Sequence, residues 1–385
     1  MSLLRRHADK VEERLSVDGY FRLLTATGSG AAVTADSAMR HDAVWSCRTR
    51  IAQDVSMMPV DVVRYVGGTR QTVDQVPQII AAPSVTATPM DWRYQVIDSW
   101  LGWGNAWGIV TARSTNGLYP TRIELQSPSS VVVRDHADGP KFFVNNVEHM
   151  LFPVGDLWHV PAYTSPGQLL GLSPIQYHRI TISSGLEAQR FGNGFFQDGG
   201  HPNAIVGVEG TPTDDQAKSL KDKLMGITRG NRELIVLPKS TTYTQLSVNP
   251  DDSQFIETMR YSVEQICRIF GEDPADHGAS AGGSSITYAN RSDADLARFK
   301  RRQFWVTKLQ DALTAMIPRP QVVRLNTSSS LMMTTKERHE VHKLRLESQT
   351  ITVNEVRRIE DDPPFADPQF DSPPPPRQAA QPASA

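Results

Sequence analysis

The sequence predicts an α+β fold in which a mixed front portion gives way to three long helices. Three observations predict it. Short β-prone runs separated by turn residues fill residues 109–162. Apolar residues then recur at spacings of three and four over three later stretches, the mark of amphipathic helices. Between the first two of these stretches lies a compact segment, 198–250, with strand patterns of its own. A chain of 385 residues with a 39% hydrophobic share can hold two or three folded units with real cores.

The elements follow in order. Residues 1–35 end in a Gly-, Ser-, Thr- and Ala-rich stretch and read as an N-terminal arm. From Asp36 to Met58, Ala43, Val44, Cys47, Ile51 and Val55 mark one face of a helix that Pro59 stops. Val60–Val66 reads as a strand with Gly67-Gly68 as its hairpin turn. Pro89 and Asp91 form a favourable entry to a helix running from Asp91 to about Gly104. Trp100, Trp103 and Trp107 follow at i, i+3 and i+7, a stripe suited to packing rather than to holding a ligand. Ile109–Thr111, Val131–Val133, Lys141–Val144 and Leu157–Val160 are the β-prone runs, with turns at Asn116-Gly117, Asp138-Gly139-Pro140 and Asn145-Asn146.

Gly171-Leu172-Ser173-Pro174 opens a helix with Ser at the cap and Pro in the first turn. Gly192, Gly194, Gly199 and Gly200 loosen and end it. Within 198–250, Ala204–Val208, Glu233–Leu237 and Thr241–Val248 read as strands, and Thr213-Asp214-Asp215-Gln216 as the capping box of a short helix. The cleanest amphipathic pattern comes next: Phe255, Met259, Val263, Ile266 and Phe270, opened by Asp251 and Asp252 and closed by Gly271. Residues 271–289, rich in Gly and Ser, form a mobile loop. A third long helix from Asn290 to Ile317 carries Leu296, Phe299, Val306, Leu309, Leu313 and Met316 on one face. A charged helical segment at 334–349 follows, and from Asp361 the chain reads as a disordered Pro-rich tail.

Charge and motifs then exclude several functions. With 40 Lys+Arg against 42 Asp+Glu, the net charge of −2 argues against coating nucleic acid by bulk electrostatics, while leaving room for local patches. Apolar runs of four residues predict no membrane span, and the charged segment Met1–Leu15 predicts no signal peptide. Cys47 and Cys267 are far apart, belong to no metal-type or redox-type cluster, and read as reduced thiols of an intracellular protein. His339-Glu340-Val341-His342 misses the i, i+4 histidine spacing of a zinc protease. The run Gly278–Ser285 lacks the lysine and preceding strand of a phosphate cradle. The pairs Asp214-Asp215 and Asp251-Asp252 sit where helix starts favour acids, and Asp361-Asp362 begins the tail. No catalytic residues, metal ligands or cofactor site emerge, so the chain is expected not to be an enzyme.

Several short stretches together carry a family likeness. They are Gly104-Asn105-Ala106-Trp107, Ser127-Pro128, Gly171-Leu172-Ser173-Pro174-Ile175, Phe191-Gly192-Asn193-Gly194 and His201-Pro202-Asn203-Ala204-Ile205-Val206. Ile269-Phe270-Gly271-Glu272-Asp273-Pro274, Thr287-Tyr288-Ala289-Asn290 and Thr352-Val353-Asn354-Glu355-Val356-Arg357 continue the series. In this order, over roughly residues 36–365, the chain resembles the portal (head-to-tail connector) proteins of tailed bacteriophages, in the lineage with long non-contractile tails.

The resemblance implies a homo-oligomeric ring, a dodecamer, at one capsid vertex of the virion, assembled in the host cytoplasm. It implies an axial channel for double-stranded DNA entering during packaging and leaving during ejection. Implied partners are the terminase large subunit, a head-tail adaptor protein, and the major capsid and scaffold proteins. By the same likeness, residues 36–170 form a wing, 171–197 and 251–270 stem helices, and 198–250 a clip. Residues 271–289 form a tunnel loop, 290–360 a long helix with a short wing or crown region, and 361–385 the tail.

Within the loop, His277, Gly278, Ser280, Gly282, Gly283, Ser284, Ser285 and Thr287 are expected to face the DNA. The loop contains neither Lys nor Arg, which favours sliding, since each phosphate neutralised adds affinity. Arg291, Arg298, Lys300, Arg301 and Arg302 are expected at the channel mouth, in intersubunit pairs or on a solvated face. The stripe of Phe255, Met259, Val263, Ile266 and Phe270 packs either in the chain's own core or between subunits. The second is favoured, because a long helix beside a small insert buries little within one chain. The alternatives are a metal-dependent DNA-processing enzyme using the acidic pairs, and a non-portal capsid or adaptor protein.

Overall fold

The first helical face of the sequence folds as two helices, α1 (Ala35–Ala38) and α2 (Asp42–Ser56), in a computed structural model. The structure describes residues 33–197, 204–208, 218, 241–245, 252–278, 288–327, 335–360 and 362–373. The single helix expected from Asp36 to Met58 is broken because His41 takes an extended backbone and its Nδ1 accepts from the Ala43 amide. A side chain that caps the next helix ends the previous one. The apolar face itself is as read: Ala43, Val44, Cys47, Ile51 and Val55 are all buried.

The chain divides into two units, Met1–Asn326 and Thr327–Ala385. In the first, β1 (Val60–Val66) and β2 (Thr69–Thr72) form the expected hairpin. A helical turn α3 (Gln78–Ala81) leads to α4 (Pro89–Trp103), capped by Thr88 and buried through Trp92, Val96, Ile97, Trp100 and Leu101. Gly104, with φ of 73°, ends α4. Trp107 therefore lies in a strand, and the expected helical stripe stops at Trp103. Trp100 stacks against Trp305 at 6.1 Å, whereas Trp107 belongs to a separate small core with Val131, Phe142, Val144 and Leu157.

Six strands follow: β3 (Asn105–Arg113), β4 (Pro120–Gln126), β5 (Val131–His136), β6 (Gly139–Val144), β7 (Val147–His149) and β8 (Leu157–Pro161). They make two antiparallel sheets, β4-β3-β8 and β5-β6-β7. Indole N–H groups tie α4 to the first sheet, Trp92 donating to the Ile123 carbonyl and Trp100 to that of Val160, each at 2.9 Å.

The helical part begins at α5 (Pro174–Tyr177) and α6 (Arg179–Gln197). Helix α6 runs through Gly192 and Gly194 rather than loosening there; a glycine inside a helix costs only about 1 kcal/mol. Strands β9 (Ala204–Val208) and β10 (Thr241–Gln245) pair antiparallel. The expected strand Glu233–Leu237 lies outside the described residues, as does the helix after Thr213 except for residue 218, which is helical. Helix α7 (Asp252–Phe270) packs against α6 and α2, a short 3-10 turn spans Pro274–His277, and α8 (Tyr288–Thr314) follows. Strand β11 (Val322–Leu325) then joins the first hairpin beside β1, giving the order β11-β1-β2.

The main core corrects one expectation. Ile266, Cys267 and Phe270 of α7 are buried in the same cluster as Cys47, Ile51 and Val55 of α2 and Leu309 and Leu313 of α8. The C-terminal part of the α7 stripe is therefore covered by its own chain, because α2 packs against it and α8 packs in turn on α2. Val263 is partly buried against this core and Met259 is half-buried; the side chain of Phe255 lies outside the described residues. On α8, Val306, Leu309, Leu313 and Met316 are buried, but Leu296 is 41% exposed.

In the second unit, α9 (Thr335–Glu347) is followed by α10 (Val353–Ile359), opened by a Thr352–Glu355 capping box. His342 Nε2 lies 3.1 Å from a Glu360 carboxylate that Arg338 also meets at 2.9 Å. Residues 362–373, expected to be disordered, pack back on α10. Asn354 donates to the Phe365 carbonyl and to Asp371, accepts from the Phe365 amide, and the Phe365 and Phe370 rings meet at 4.8 Å. The aromatic pair supplies the apolar area that the prolines do not. Among the described residues, no helix is long and apolar enough to cross a membrane.

Candidate functional site

The root of the Gly/Ser loop is built where α7 ends and α8 passes α2. Gly271, with φ of 70°, ends α7, and the Glu272 amide donates back to the Cys267 carbonyl at 2.8 Å. Asp273 then caps a single turn by accepting from the Ala275 amide, with Pro274 in the first position. This turn aims Glu272 and His277 back into the protein, and Gly278 closes it on the exposed side.

The cations of α8 meet this root. Arg302, only 2% exposed, donates through both terminal nitrogens to the Glu272 carboxylate, NH2 to Oε2 at 3.0 Å, and through Nε to Asp54 at 3.0 Å. Arg298 reaches the same Asp54 oxygen at 3.3 Å. Arg301 pairs with Asp276 at 2.7 Å, and Arg50 donates to the Asp276 carbonyl. Arg298, Arg301 and Arg302 lie three and four residues apart, hence on one helical face, and that face is turned to acids of the same chain. Within the chain their guanidinium groups are thus engaged by its own acids. Lys300, on another face, is exposed, and the side chain of Arg291 lies outside the described residues. Burial pushes the Glu272 carboxyl up, but hydrogen bonds and charge from His277 and Arg302 outweigh it and hold it below the usual carboxylate range.

His277 is also placed differently from expectation. Its side chain is fully buried, with Nδ1 2.7 Å from Ser46 Oγ, and Nε2 3.8 Å from Cys47 Sγ and 3.4 Å from Glu272 Oε2. Its ring is thus enclosed by the chain, and the bond to Ser46 fastens the turn to α2. Ser280, Gly282, Gly283, Ser284, Ser285 and Thr287 lie outside the described residues. The two cysteines, read as unconnected, are neighbours at 3.9 Å, and with His277 form a buried group whose ligand atoms lie within 4.8 Å of one another. The hydrogen bond to Cys267, together with burial, pushes the Cys47 thiol up, while accepting that bond lowers Cys267. Both cysteines sit on apolar helix faces, which was the one sign in the sequence that they could share a core.

A second constellation joins the β sheet to the helices. Asn105 donates from Nδ2 to the carbonyls of Trp103 and Gly171, while its Oδ1 accepts from the Gly171 amide at 2.8 Å and meets His159 Nε2 at 2.9 Å. Ser173 Oγ donates to the Gly102 carbonyl and accepts from the Gln176 amide, so one hydroxyl both caps α5 and fastens it to α4. A Cβ on Gly171 would collide with the Gly104 carbonyl and the backbone of Ala162. His159 stacks on Trp107 with centroids 3.7 Å apart, and burial, helped by the Lys308 charge, lowers its pKa to about 3. The segments Gly104–Trp107 and Gly171–Ile175, quoted above as separate motifs, are thus two sides of one backbone junction.

These features find their context in known proteins. A family model described as phage portal protein matches residues 42–361, and the chain belongs to that family. Among its relatives, the probable portal protein of Streptomyces phage phiC31 is 26% identical over 374 residues, covering 90% of this chain and 80% of the relative. The portal protein of Enterobacteria phage HK97 is 23% identical over 338 residues, covering 84% of this chain and 78% of its own. The crystal structure of an HK97 family phage portal protein from Corynebacterium diphtheriae superposes with a TM-score of 0.58 at 15% identity, over 79% of this chain and all of that one. The neck of a native gene transfer agent particle computed with C12 symmetry gives a TM-score of 0.54 at 17% identity, over 89% and 99% of the two chains. The α+β portal fold is shared, and the portal reading is favoured over a DNA-processing enzyme and over a non-portal capsid or adaptor protein.

Proposed function

We propose that the chain closes into a twelve-membered ring at one capsid vertex and acts without catalysis as the conduit for double-stranded DNA. The observation that carries this is the family match from residue 42 to residue 361. In this reading the ring docks the terminase large subunit during packaging and a head-tail adaptor afterwards, and meets the major capsid and scaffold proteins at its rim. Exposed apolar side chains on α2, α6 and α7, namely Trp45, Ile180 and Tyr261, support it, since neighbouring copies would cover them. In this reading residues 271–289 are the tunnel loop that meets the DNA. Its lack of Lys and Arg and the internal pairing of Arg298, Arg301 and Arg302 both keep fixed positive charge away from phosphates that must slide.

Shortening residues 278–285 tests this. Rings should form as before while the yield of packaged DNA falls. Packaging at full yield with the shortened loop, or loss of rings, would contradict the role given to the loop.

A further inference from the structure

Cys47, Cys267 and His277 converge on one point in the core with the Glu272 carboxylate beside the histidine, and that convergence has no part in the conduit function. They come from two distant segments: Cys47 from α2, and Cys267, Glu272 and His277 from the end of α7 and its following turn. We propose that Cys47 Sγ, Cys267 Sγ, His277 Nε2 and Glu272 Oε2 form a tetrahedral site for a divalent thiophilic cation, zinc, which staples α2 to the base of the loop.

The distances fit that geometry. Zinc bonds of about 2.3 Å to sulfur and about 2.0–2.2 Å to nitrogen and oxygen, arranged tetrahedrally, set neighbouring ligand atoms roughly 3.3–3.8 Å apart. The corresponding edges are 3.9 Å between the sulfurs, 3.8 Å from Cys47 Sγ to His277 Nε2, and 3.4 Å from His277 Nε2 to Glu272 Oε2. The Cys267 Sγ to His277 Nε2 edge is within 4.8 Å, and the group that close together does not include Glu272, whose carboxylate has to turn toward the sulfurs to supply the fourth bond.

The surroundings are those of a metal ligand set rather than of an accidental cluster. A ligating imidazole has its second nitrogen tied to a hydrogen-bonding partner, which fixes the ring and the tautomer. Here Ser46 Oγ holds His277 Nδ1 at 2.7 Å and so aims Nε2 inward. Glu272 is held in turn by Arg302.

Charge balance agrees. Arg298 and Arg302 already offset Asp54 and Glu272. A divalent cation that replaces the two thiol protons adds two positive charges and leaves two thiolates, so the net charge of the buried group is unchanged. Borderline-soft zinc suits two thiolates and an imidazole, and four protein ligands make a closed, structural site. A Cys47–Cys267 disulfide would need the sulfurs at about 2.05 Å and would give His277 and Glu272 no role.

The test is the metal content of the full-length chain, purified from zinc-supplemented cells and freed of loose metal by gel filtration. The expected result is about one zinc per chain, and replacement by cobalt should produce cobalt–thiolate charge-transfer absorption. Cys47→Ser and Cys267→Ser should each abolish that absorption. Ser46→Ala leaves all four ligands in place and should weaken cobalt affinity about tenfold or more. Wild-type protein that is folded yet holds almost no zinc and gives no cobalt–thiolate band overturns the proposal, with no variant needed. So does recovery of the two cysteines as a disulfide, or a cobalt affinity indifferent to Cys267→Ser.

Discussion

Replacing Arg302 with leucine removes the guanidinium that joins α8 to both α2 and the turn after α7. The side chain is 2% exposed and its two acidic partners lie at 1% for Glu272 and 22% for Asp54. Asp54 keeps Arg298, but Glu272 is left buried with only the His277 ring beside its carboxylate. Breaking a buried pair by removing one partner costs about 3–5 kcal/mol, most of it the penalty of the stranded charge. At about 2 °C per kcal/mol for a large domain, the midpoint of thermal unfolding should fall by roughly 6–10 °C. The assay is thermal and urea denaturation followed by circular dichroism, at fixed protein concentration because assembly couples to apparent stability. Lys300→Leu, on the exposed side of the same helix, is the control and should stay within about 0.5 kcal/mol. If Arg302→Leu is as mild as Lys300→Leu, the arginine is not the internal tie described here.

Gly171→Ala places a methyl group against the Gly104 carbonyl and the Ala162 backbone. It should cost about 1–3 kcal/mol or more, measured by urea unfolding, and a neutral result would remove the junction argument. Acidification should destabilise the protein with a traceable sign. His159 has a pKa lowered to about 3 in the fold, so below about pH 6.5 the unfolded chain takes up a proton that the native one refuses. Stability should therefore drop by about 2 kcal/mol between pH 6.5 and 5, and His159→Gln should flatten that slope. Glu272, depressed in the fold, adds a further loss below about pH 4.5, as the unfolded carboxyl takes up a proton that the native one still refuses. Urea titrations across pH check both effects, and an unchanged slope in His159→Gln would show that His159 is not the group responsible.

Period and punctuation made much of the fold legible. Strand β1, the Gly67-Gly68 turn, the Ser173 cap and the span of α7 all follow from local chemistry, because each depends on neighbours within a few residues. What was hidden depends on distance. His41 looks like an ordinary helical residue until its ring nitrogen is seen to cap α2. Trp107 keeps helical spacing with Trp100, but Gly104 in a left-handed conformation turns the chain between them. Strand β4 shows little alternation because Ile123 is its one apolar residue with no exposure. The candidate site was the least legible. Arginines at 298, 301 and 302 look like a binding patch when their acids, Asp54, Glu272 and Asp276, are scattered over more than two hundred residues. The same separation concealed the meeting of Cys47 with Cys267.

The family to which the chain belongs sets the decisive experiment. Purified protein should be weighed by light scattering and imaged under assembly conditions to read its symmetry. A closed ring of twelve copies around an opening that admits a DNA duplex is the predicted outcome. A particle that remains a single chain in every condition, or that closes with no axial opening, would contradict it.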